Sequence, residues 1–348
     1  MSDVIVSKAG IHCVGDKRNG YGAFLQTIHA AGRRLSLVKC RDNFGAIDEP
    51  LALWPETITI GAMTVWDDAD YNVDTAYNRI VQAAALNPKV KYWEYFNERN
   101  GDWPQQADLY MALMPRLAQA GIGLCMFNCA SGTPQYPYID PIPYSEIARA
   151  CRAALLSSYD VILGVHEYQS EGGTIGRFAT LANYLEARSA LLPIAVTEYG
   201  FETHPGDAAF MAMIRANDPI YMSDSRVIGC ATWTLGGGGW GDSNFQTALP
   251  QLGEYIAAVA AVSPPPAAEW DFDFWEVDGA RRIGNPLELL MDGDHVITPH
   301  AKKKIPPPIA LYELTINLCP EFAGLQVTVT PPGLVYAAGT QVTCEALL

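Results

Sequence analysis

Apolar runs of strand length alternate along the chain with longer segments of helical period, from the N-terminus to about residue 262. This alternation is typical of repeated βα units. The predicted strands are Ile11–Gly15, Leu35–Cys40, Thr57–Val65, Lys91–Glu98, Ile122–Phe127, Val161–Tyr168, Pro193–Glu198 and Arg226–Leu235. Eight strands with interleaved helices predict an α/β fold, the (β/α)8 TIM barrel, whose catalytic groups lie at the carboxyl ends of the strands.

Glycines mark the ends of two predicted helices between these strands. The helix from Tyr21 to Ala31 stops at Gly32, and the helix over residues 105–120 stops at Gly121. Both glycines suit the left-handed conformation that commonly ends a helix. The segments 174–191 and 248–262 are the clearest amphipathic helices, and 43–56 is the weakest.

The character of the chain changes after Val262. Proline-rich spacers at 263–266 and 302–308 flank an aromatic segment, 269–294, which we expect to be a strap packed on the barrel or, alternatively, a surface that stacks on sugars. Three short alternating strands follow, at 312–318, 325–330 and 341–346. We therefore predict a barrel over 1–262, a proline-rich linker with the aromatic strap over 263–310, and a small β module, complete or truncated, over 311–348.

Composition excludes several classes of function. The formal charge of −15, from 23 basic and 38 acidic residues, argues against a nucleic-acid partner, since phosphate binding needs a basic face. No apolar run is long enough to span a membrane. The start lacks the features of a secretory leader, so we expect either an intracellular protein or one exported by another route, to the surface, the medium or a virion. The 8 cysteines lack metal-ligand spacing and predict structural thiols rather than a metal site.

Two of the predicted strands end on a glutamate. Glu98 closes the fourth strand, after an aromatic run, and Glu198 closes the seventh. The carboxyl ends of barrel strands meet at one face, so we expect the two carboxylates to share a cleft. Such a pair is the minimum equipment for splitting a glycosidic bond, where one group protonates the leaving oxygen and the other attacks or activates water.

Four motifs in chain order together resemble the barrel glycoside hydrolases of clan A. They are Asn97-Glu98 on strand four, His166-x-Tyr168 on strand six, Glu198 on strand seven and Trp233 on strand eight. Within the clan, Trp93-Glu94-x-x-Asn97-Glu98 is most similar to the family 39 group and its relatives. The resemblance implies a retaining β-glycoside hydrolase that cleaves a β-linked oligo- or polysaccharide through a glycosyl-enzyme and needs no cofactor.

The same resemblance implies a role for each motif residue. Glu98 would be the general acid and base, and Glu198 the nucleophile. Asn97 would hold the sugar 2-hydroxyl, and Trp233 would form the floor under the sugar. We expect the aromatic neighbours of Glu98 at positions 93, 95 and 96 to raise its pKa by partial burial, and Tyr168 to keep Glu198 ionised by donating a hydrogen bond.

Further candidates are positional. His166 is either a contact of substrate or carboxylate or a core histidine. Lys39 or Arg41, at the end of strand two, could hold Glu198 ionised, and we prefer Arg41. Rim positions where sugar could be met are occupied by His12, Trp66 and Asn128. The glycine-rich loop 235–242 is expected to be a flexible rim that carries Trp240 over the cleft.

Two other functions fit the same residues. A barrel that binds carbohydrate or serves as a structural component, without catalysis, could belong to a cell-surface or viral assembly. The tail resembles the immunoglobulin-like repeats of bacterial surface and secreted enzymes, so an assembly partner could bind through the β module. Transglycosylation would use the same carboxylates. The sugar, the linkage and endo or exo action depend on loop shape rather than on these carboxylates.

Overall fold

The structure is a computed structural model that describes residues 6–15, 19–41, 44–63, 71–135, 137, 139–169, 175–236 and 241–259. It also describes the backbone of seven strands between residues 271 and 347. The contacts within the chain divide it into two units, Met1–Val262 and Ser263–Leu348.

The first unit is a closed parallel barrel in which each strand pairs with its neighbours in chain order and the eighth pairs with the first. The strands are β1 (Ala9–Val14), β2 (Leu37–Arg41), β3 (Ile58–Ala62), β4 (Tyr92–Glu94), β5 (Gly123–Cys129), β6 (Val161–Tyr168), β7 (Ile194–Gly200) and β8 (Val227–Leu235). The predicted (β/α)8 TIM barrel is confirmed.

Helices connect the strands, as the alternating pattern predicts. They are α1 (Tyr21–Ala30), α2 (Asp48–Leu53), α3 (Val73–Leu86), α4 (Trp103–Gln119), α5 (Pro141–Leu156), α6 (Phe178–Glu186), α7 (Asp207–Ser223) and α8 (Leu249–Ala258). Gly32 and Gly121 adopt φ of 67° and 69° just beyond α1 and α4, as expected. The Asp140 side chain accepts a hydrogen bond from the Ile142 amide and caps α5, whose first residue is a proline.

The barrel interior is filled by one buried residue from each of β2 to β8. These residues are Leu37, Ile60, Tyr92, Cys125, Ile162, Ala195 and Ala231. A larger apolar cluster draws on both the sheet and the surrounding helices, so both faces of the sheet are covered. The seven interior residues fill the barrel below polar side chains that come two positions later on the same strands, such as Lys39 after Leu37 and Glu94 after Tyr92.

Most strands begin or end a few residues from the predicted bounds, and the differences in β4, β5 and β7 bear on the candidate carboxylates. β4 stops at Glu94, so Glu98 lies four residues beyond the strand rather than on it. In β7, Val196 pairs with Val165 and Glu198 pairs with His166, which leaves Thr197 as an extra residue. In β5 the pairing with β6 also shifts between Met126 and Cys129. Such bulges re-aim side chains, and here they occur next to the candidate carboxylates.

The second unit contains short antiparallel strands. β9 (Asp271–Val277) lies between β10 (Ala280–Arg282) and β11 (Ile297–Lys302), β12 (Leu311–Glu313) pairs with β14 (Val335–Ala337), and β13 (Gln326–Thr330) pairs with β15 (Thr343–Leu347). The expected aromatic strap, 269–294, contains β9 and β10, and β11 follows it. Asp and Phe alternate with a period of two over 271–274, which is typical of a strand.

Among the described helices, none combines the length and the apolar character that crossing a membrane requires.

A test of the barrel packing is available at Gly10 in β1. A Cβ there would lie 2.1 Å from the Leu37 carbonyl oxygen of β2, so backbone must move to admit it. We expect Gly10→Ala to lower the free energy of unfolding by about 1–3 kcal/mol, as overpacking does. Urea denaturation followed by circular dichroism measures the change.

Gly241→Ala is the matched control, because a Cβ at Gly241 meets nothing within 4 Å. We expect the control to change the free energy of unfolding by less than about 0.5 kcal/mol. A Gly10→Ala variant as stable as the control would contradict the close approach of β1 and β2.

Candidate active site

Glu98 and Glu198 meet at the carboxyl end of the barrel, on either side of His166. His166 Nδ1 lies 2.8 Å from Glu98 Oε1 and 3.4 Å from Glu198 Oε2. One oxygen of each carboxylate and this nitrogen all lie within 4.8 Å of one another. His166 therefore contacts both carboxylates, one of the two alternatives open for it. Whether it also contacts substrate stays a prediction.

The two glutamates differ in their exposure to solvent. The side chain of Glu98 is 38% exposed, whereas that of Glu198 is 5% exposed. Glu98 adopts φ of 52°, and its amide donates a hydrogen bond of 3.1 Å to the Asn128 carbonyl oxygen of β5. Its aromatic neighbours at 93, 95 and 96 are buried in the core. Glu98 is thus the accessible member of the pair.

Glu198 is held in its ionised form by the groups around it. Burial alone would raise the pKa of its carboxyl group, but His166, the Lys39 ammonium and a hydrogen bond from the Tyr168 hydroxyl outweigh burial and hold the pKa well below its usual range. Tyr168 itself stays protonated, because burial and the neighbouring Glu198 raise the pKa of its hydroxyl. The predicted contact between Tyr168 and Glu198 is present.

The cation beside Glu198 is Lys39, which corrects the preference for Arg41. Lys39 Nζ lies 3.1 Å from Glu198 Oε1, and the lysine side chain is fully buried. Arg41 lies two residues further along β2, at its last position, and is 5% exposed. Because side chains alternate along a strand, both residues point into the barrel, and only their depth distinguishes them. The sequence does not define that depth.

Lys39 also contacts Glu94, a residue for which the sequence predicts no role, so Lys39, Glu94 and Glu198 form one buried cluster. Glu94 Oε2 lies 2.8 Å from Lys39 Nζ, and Glu94 is 1% exposed. Glu94 is two residues after Tyr92 on β4, so the strand period places it on the inner face. The sequence does contain a signal for this pair. Glu94 and Lys39 are charges of opposite sign at inward positions of two barrel strands.

His12 and Trp233 lie beside each other, and His12 also lies next to Glu198. Their ring centroids are 4.8 Å apart, and His12 Nδ1 lies 3.8 Å from Glu198 Oε1. His12 is fully buried within β1, so it is not the rim residue that was predicted. Burial and the neighbouring Lys39 lower the pKa of His12 well below its usual value, so its imidazole is neutral. Trp233 is 4% exposed in β8, and its peptide bond to Thr234 is cis.

Asn128 is buried within β5, so its predicted position on the rim is wrong. It is fully buried, its Nδ2 donates to the Phe96 carbonyl oxygen at 3.0 Å, and its Oδ1 accepts from Cys125 and Thr197. The side chain lies against Gly164, where a Cβ would come within 1.8 Å of Asn128 Oδ1. Asn128 lies where the pairing of β5 with β6 shifts between Met126 and Cys129, and there its side chain packs against β6.

The remaining predicted site residues are less defined. Asn97 is half-buried and directly precedes Glu98, and its contact with a sugar hydroxyl stays a prediction. Trp66 lies outside the described residues, as does Trp240 of the glycine-rich loop. No described contact therefore bears on either tryptophan.

The arrangement suits proton transfer paired with nucleophilic attack. One carboxylate is buried and held ionised, while the other is accessible and contacts an imidazole. Two carboxylates in environments of this kind can take different protonation states. Within the described residues, Glu98, His166 and Glu198 are also the one set of at least three side chains with the spacing of metal ligands.

Comparisons with known proteins add distant likenesses of structure. No family model matches the chain, and no curated protein sequence matches it significantly. A GH128 (subgroup II) endo-β-1,3-glucanase from Sorangium cellulosum superposes with a TM-score of 0.45 at 15% identity over 73% of this chain and 100% of the glucanase. An endoglucanase from Pseudomonas stutzeri, in complex with cellobiose, has a TM-score of 0.44 at 13% identity over 77% and 99%.

A glycoside hydrolase family 30 xylanase from Clostridium acetobutylicum has a TM-score of 0.43 at 11% identity and covers 97% of this chain and 92% of the xylanase. Likenesses this distant do not define the chemistry of the site. The functional assignment therefore depends on the strands and side chains of this chain.

Proposed function

We propose that the protein is a retaining β-glycoside hydrolase that acts on a β-linked oligo- or polysaccharide. The observation that carries the proposal is that Glu98 and Glu198 lie close together around one imidazole. His166 Nδ1 lies 2.8 Å from Glu98 Oε1 and 3.4 Å from Glu198 Oε2. Glycoside hydrolysis commonly uses two carboxyl groups that flank one bond, and the barrel supplies them from the segment after β4 and from β7.

In this proposal Glu198 is the nucleophile. Its contacts with Lys39 and Tyr168 favour the charged form, and an attacking carboxylate must be ionised. Attack on the anomeric carbon forms a glycosyl ester with Glu198.

Glu98 is the general acid and base. It is exposed enough to exchange protons with solvent, and His166 Nδ1 lies 2.8 Å from its Oε1. In the first step Glu98 protonates the leaving oxygen, and in the second it removes a proton from the water that hydrolyses the ester. His166 orients the carboxyl group in both steps.

The spacing of the carboxylates supports retention of configuration. One oxygen of each carboxylate lies within 4.8 Å of the other, whereas inverting enzymes separate the two carboxyl groups by about 6.5–9.5 Å to admit a water molecule. Trp233, whose ring lies beside those of His12 and Tyr168, is proposed to contact the sugar face, and Asn97, which directly precedes Glu98, is proposed to contact the 2-hydroxyl. No cofactor takes part in this mechanism.

Trapping the glycosyl-enzyme tests the nucleophile. We expect a 2,4-dinitrophenyl 2-deoxy-2-fluoro-β-glycoside to add one glycosyl mass to the peptide that contains Glu198, after a panel of β-xylosides, glucosides, mannosides and galactosides has identified the sugar. Glu198→Gln should lose labelling and lower kcat by about a thousandfold or more.

Glu186→Gln is the control, since Glu186 pairs with Arg226 on the exposed side of the barrel and should be labelled like the wild type. Labelling of another residue would refute the assignment of Glu198. Glycan-array binding without cleavage of any β-glycoside would favour a non-catalytic carbohydrate-binding barrel instead.

Chemical rescue tests the acid and base. We expect Glu98→Ala to hydrolyse a dinitrophenyl glycoside slowly, because no group then activates water for the second step. Added azide should restore the rate and yield a β-glycosyl azide, detected by mass spectrometry and NMR. An azide product of α configuration, or no rescue of an otherwise folded variant, would contradict the role of Glu98.

The pH profile tests the hydrogen bond from Tyr168. Removing its hydroxyl in Tyr168→Phe should raise the pKa of Glu198, since that bond favours the charged carboxylate. Activity that needs ionised Glu198 is lost as the pH falls through this pKa, so the acid limb of kcat/KM should move to higher pH.

Tyr221→Phe makes the same chemical change outside the cluster, where the hydroxyl donates to Glu167 at 2.6 Å. Its acid limb should coincide with that of the wild type. If both variants had the wild-type acid limb, Tyr168 would not control the ionisation of Glu198.

A further inference from the structure

Lys39 contacts two carboxylates, only one of which takes part in the proposed reaction. Its ammonium lies 2.8 Å from Glu94 Oε2 and 3.1 Å from Glu198 Oε1. All three side chains are at most 5% exposed. Solvent therefore does little to compensate a charge in this cluster, and each charge depends on its protein partners.

The charge around Lys39 changes during the proposed reaction. Before attack, one ammonium faces two carboxyl groups. In the first step a Glu198 oxygen bonds to the anomeric carbon, the bond to the leaving oxygen breaks, and Glu98 gives that oxygen its proton. Glu198 is then a neutral ester, and the buried ammonium has lost one of its two partners.

We infer that Glu94 is a positioning residue that keeps the Lys39 ammonium paired while Glu198 carries the sugar as an ester. The inference rests on the function proposed above and extends it to a side chain that does not touch substrate. Glu94 remains 2.8 Å from Lys39 on a strand that the reaction leaves unchanged. The ion pair therefore persists through both steps.

Among the described residues, the cation in direct contact with Glu94 is Lys39. Cys125 Sγ lies 4.0 Å from Glu94 Oε1, and burial keeps this thiol protonated by raising its pKa. Burial also raises the pKa of Glu94, and this effect is opposed first by the Lys39 ammonium and then by His166. Once Glu198 is an ester, the ammonium acts on Glu94 alone, so its carboxylate is most strongly favoured in the intermediate.

The same arrangement assists attack. With both carboxylates ionised, the cluster of Lys39, Glu94 and Glu198 carries one surplus negative charge, and forming the ester removes it. Without the charge of Glu94, the cluster would be neutral before attack and would hold an unpaired buried ammonium afterwards. Loss of a partner from a buried pair is strongly destabilising. Glu94 therefore favours formation of the ester over its breakdown.

Separate measurement of the two steps tests this role with Glu94→Gln, which keeps the shape of the side chain and removes its charge. The probe is the 2,4-dinitrophenyl 2-deoxy-2-fluoro-β-glycoside that labels the wild type. We expect ester formation, followed as inactivation, to slow by about ten- to a hundredfold, because the product now holds an unpaired ammonium. Breakdown of the isolated ester, followed as return of activity, should be as fast as in the wild type or faster.

Asp218→Asn is the matched control, since Asp218 is a buried carboxylate that accepts hydrogen bonds from Ser7 and Tyr255 and has no described contact with the cluster. A loss of packing should slow both steps together, so the ratio of the two rates should stay at the wild-type value. If Glu94→Gln likewise leaves the ratio unchanged, the inference is wrong. If the wild type is never labelled on Glu198, the proposed function itself fails.

Glu94→Asp covers the case in which Glu94→Gln does not fold. It keeps the charge but withdraws it from Lys39 by one methylene, so ester formation should slow by a smaller factor, in the same direction. Equal slowing of both steps in Glu94→Asp would overturn the inference.

Discussion

The buried ammonium of Lys39 is the interaction on which the rest of the site depends. It lies between Glu94 and Glu198 in the closed interior of a barrel, where a lone charge would be strongly disfavoured. Each partner offsets the desolvation of the others, and the shared lysine fixes the depth at which Glu198 lies. Because Tyr168 and His166 also contact Glu198, its carboxylate has a defined position and a defined charge.

The barrel then separates the two glutamates by environment. Glu198 belongs to the wall of β7 and shares the buried network, whereas Glu98 lies beyond the end of β4 and faces solvent. Residues of the same type are thus suited to different tasks by where the backbone leaves them. His166 joins the two environments because its Nδ1 contacts both carboxylates.

Much of this architecture is predictable from the sequence, and the exceptions have physical causes. Periodicity and helix-ending glycines predict the barrel, and glutamates at the ends of strands four and seven predict the pair, because parallel strands end at one face. The sequence does not predict that Glu198 follows a bulge at Thr197, since bulges depend on pairing between strands. The sequence does not separate Lys39 from Arg41, because the phase of strand two is uncertain in the sequence and only the barrel defines the depth of each side chain.

Buried polar residues were the other difficulty. Asn128 looks like a rim residue when strand five is taken to stop at Phe127, but β5 extends to Cys129 and buries its side chain. His12 lies within β1 on the strand wall and is buried as well. Glu94 lies in an aromatic run, and its charge is accounted for only by a lysine on another strand. Such pairs depend on contacts between residues far apart in sequence.

The central claim is that Glu98 and Glu198 act together as a retaining pair, and the configuration of the first product tests it most directly. Proton NMR of the reaction with the best β-glycoside, recorded before the released sugar equilibrates, identifies the anomer that forms first. We expect the β-anomer, produced by two successive displacements at the anomeric carbon. An α-anomer would mean a single displacement by water and would contradict the role of Glu198 as nucleophile.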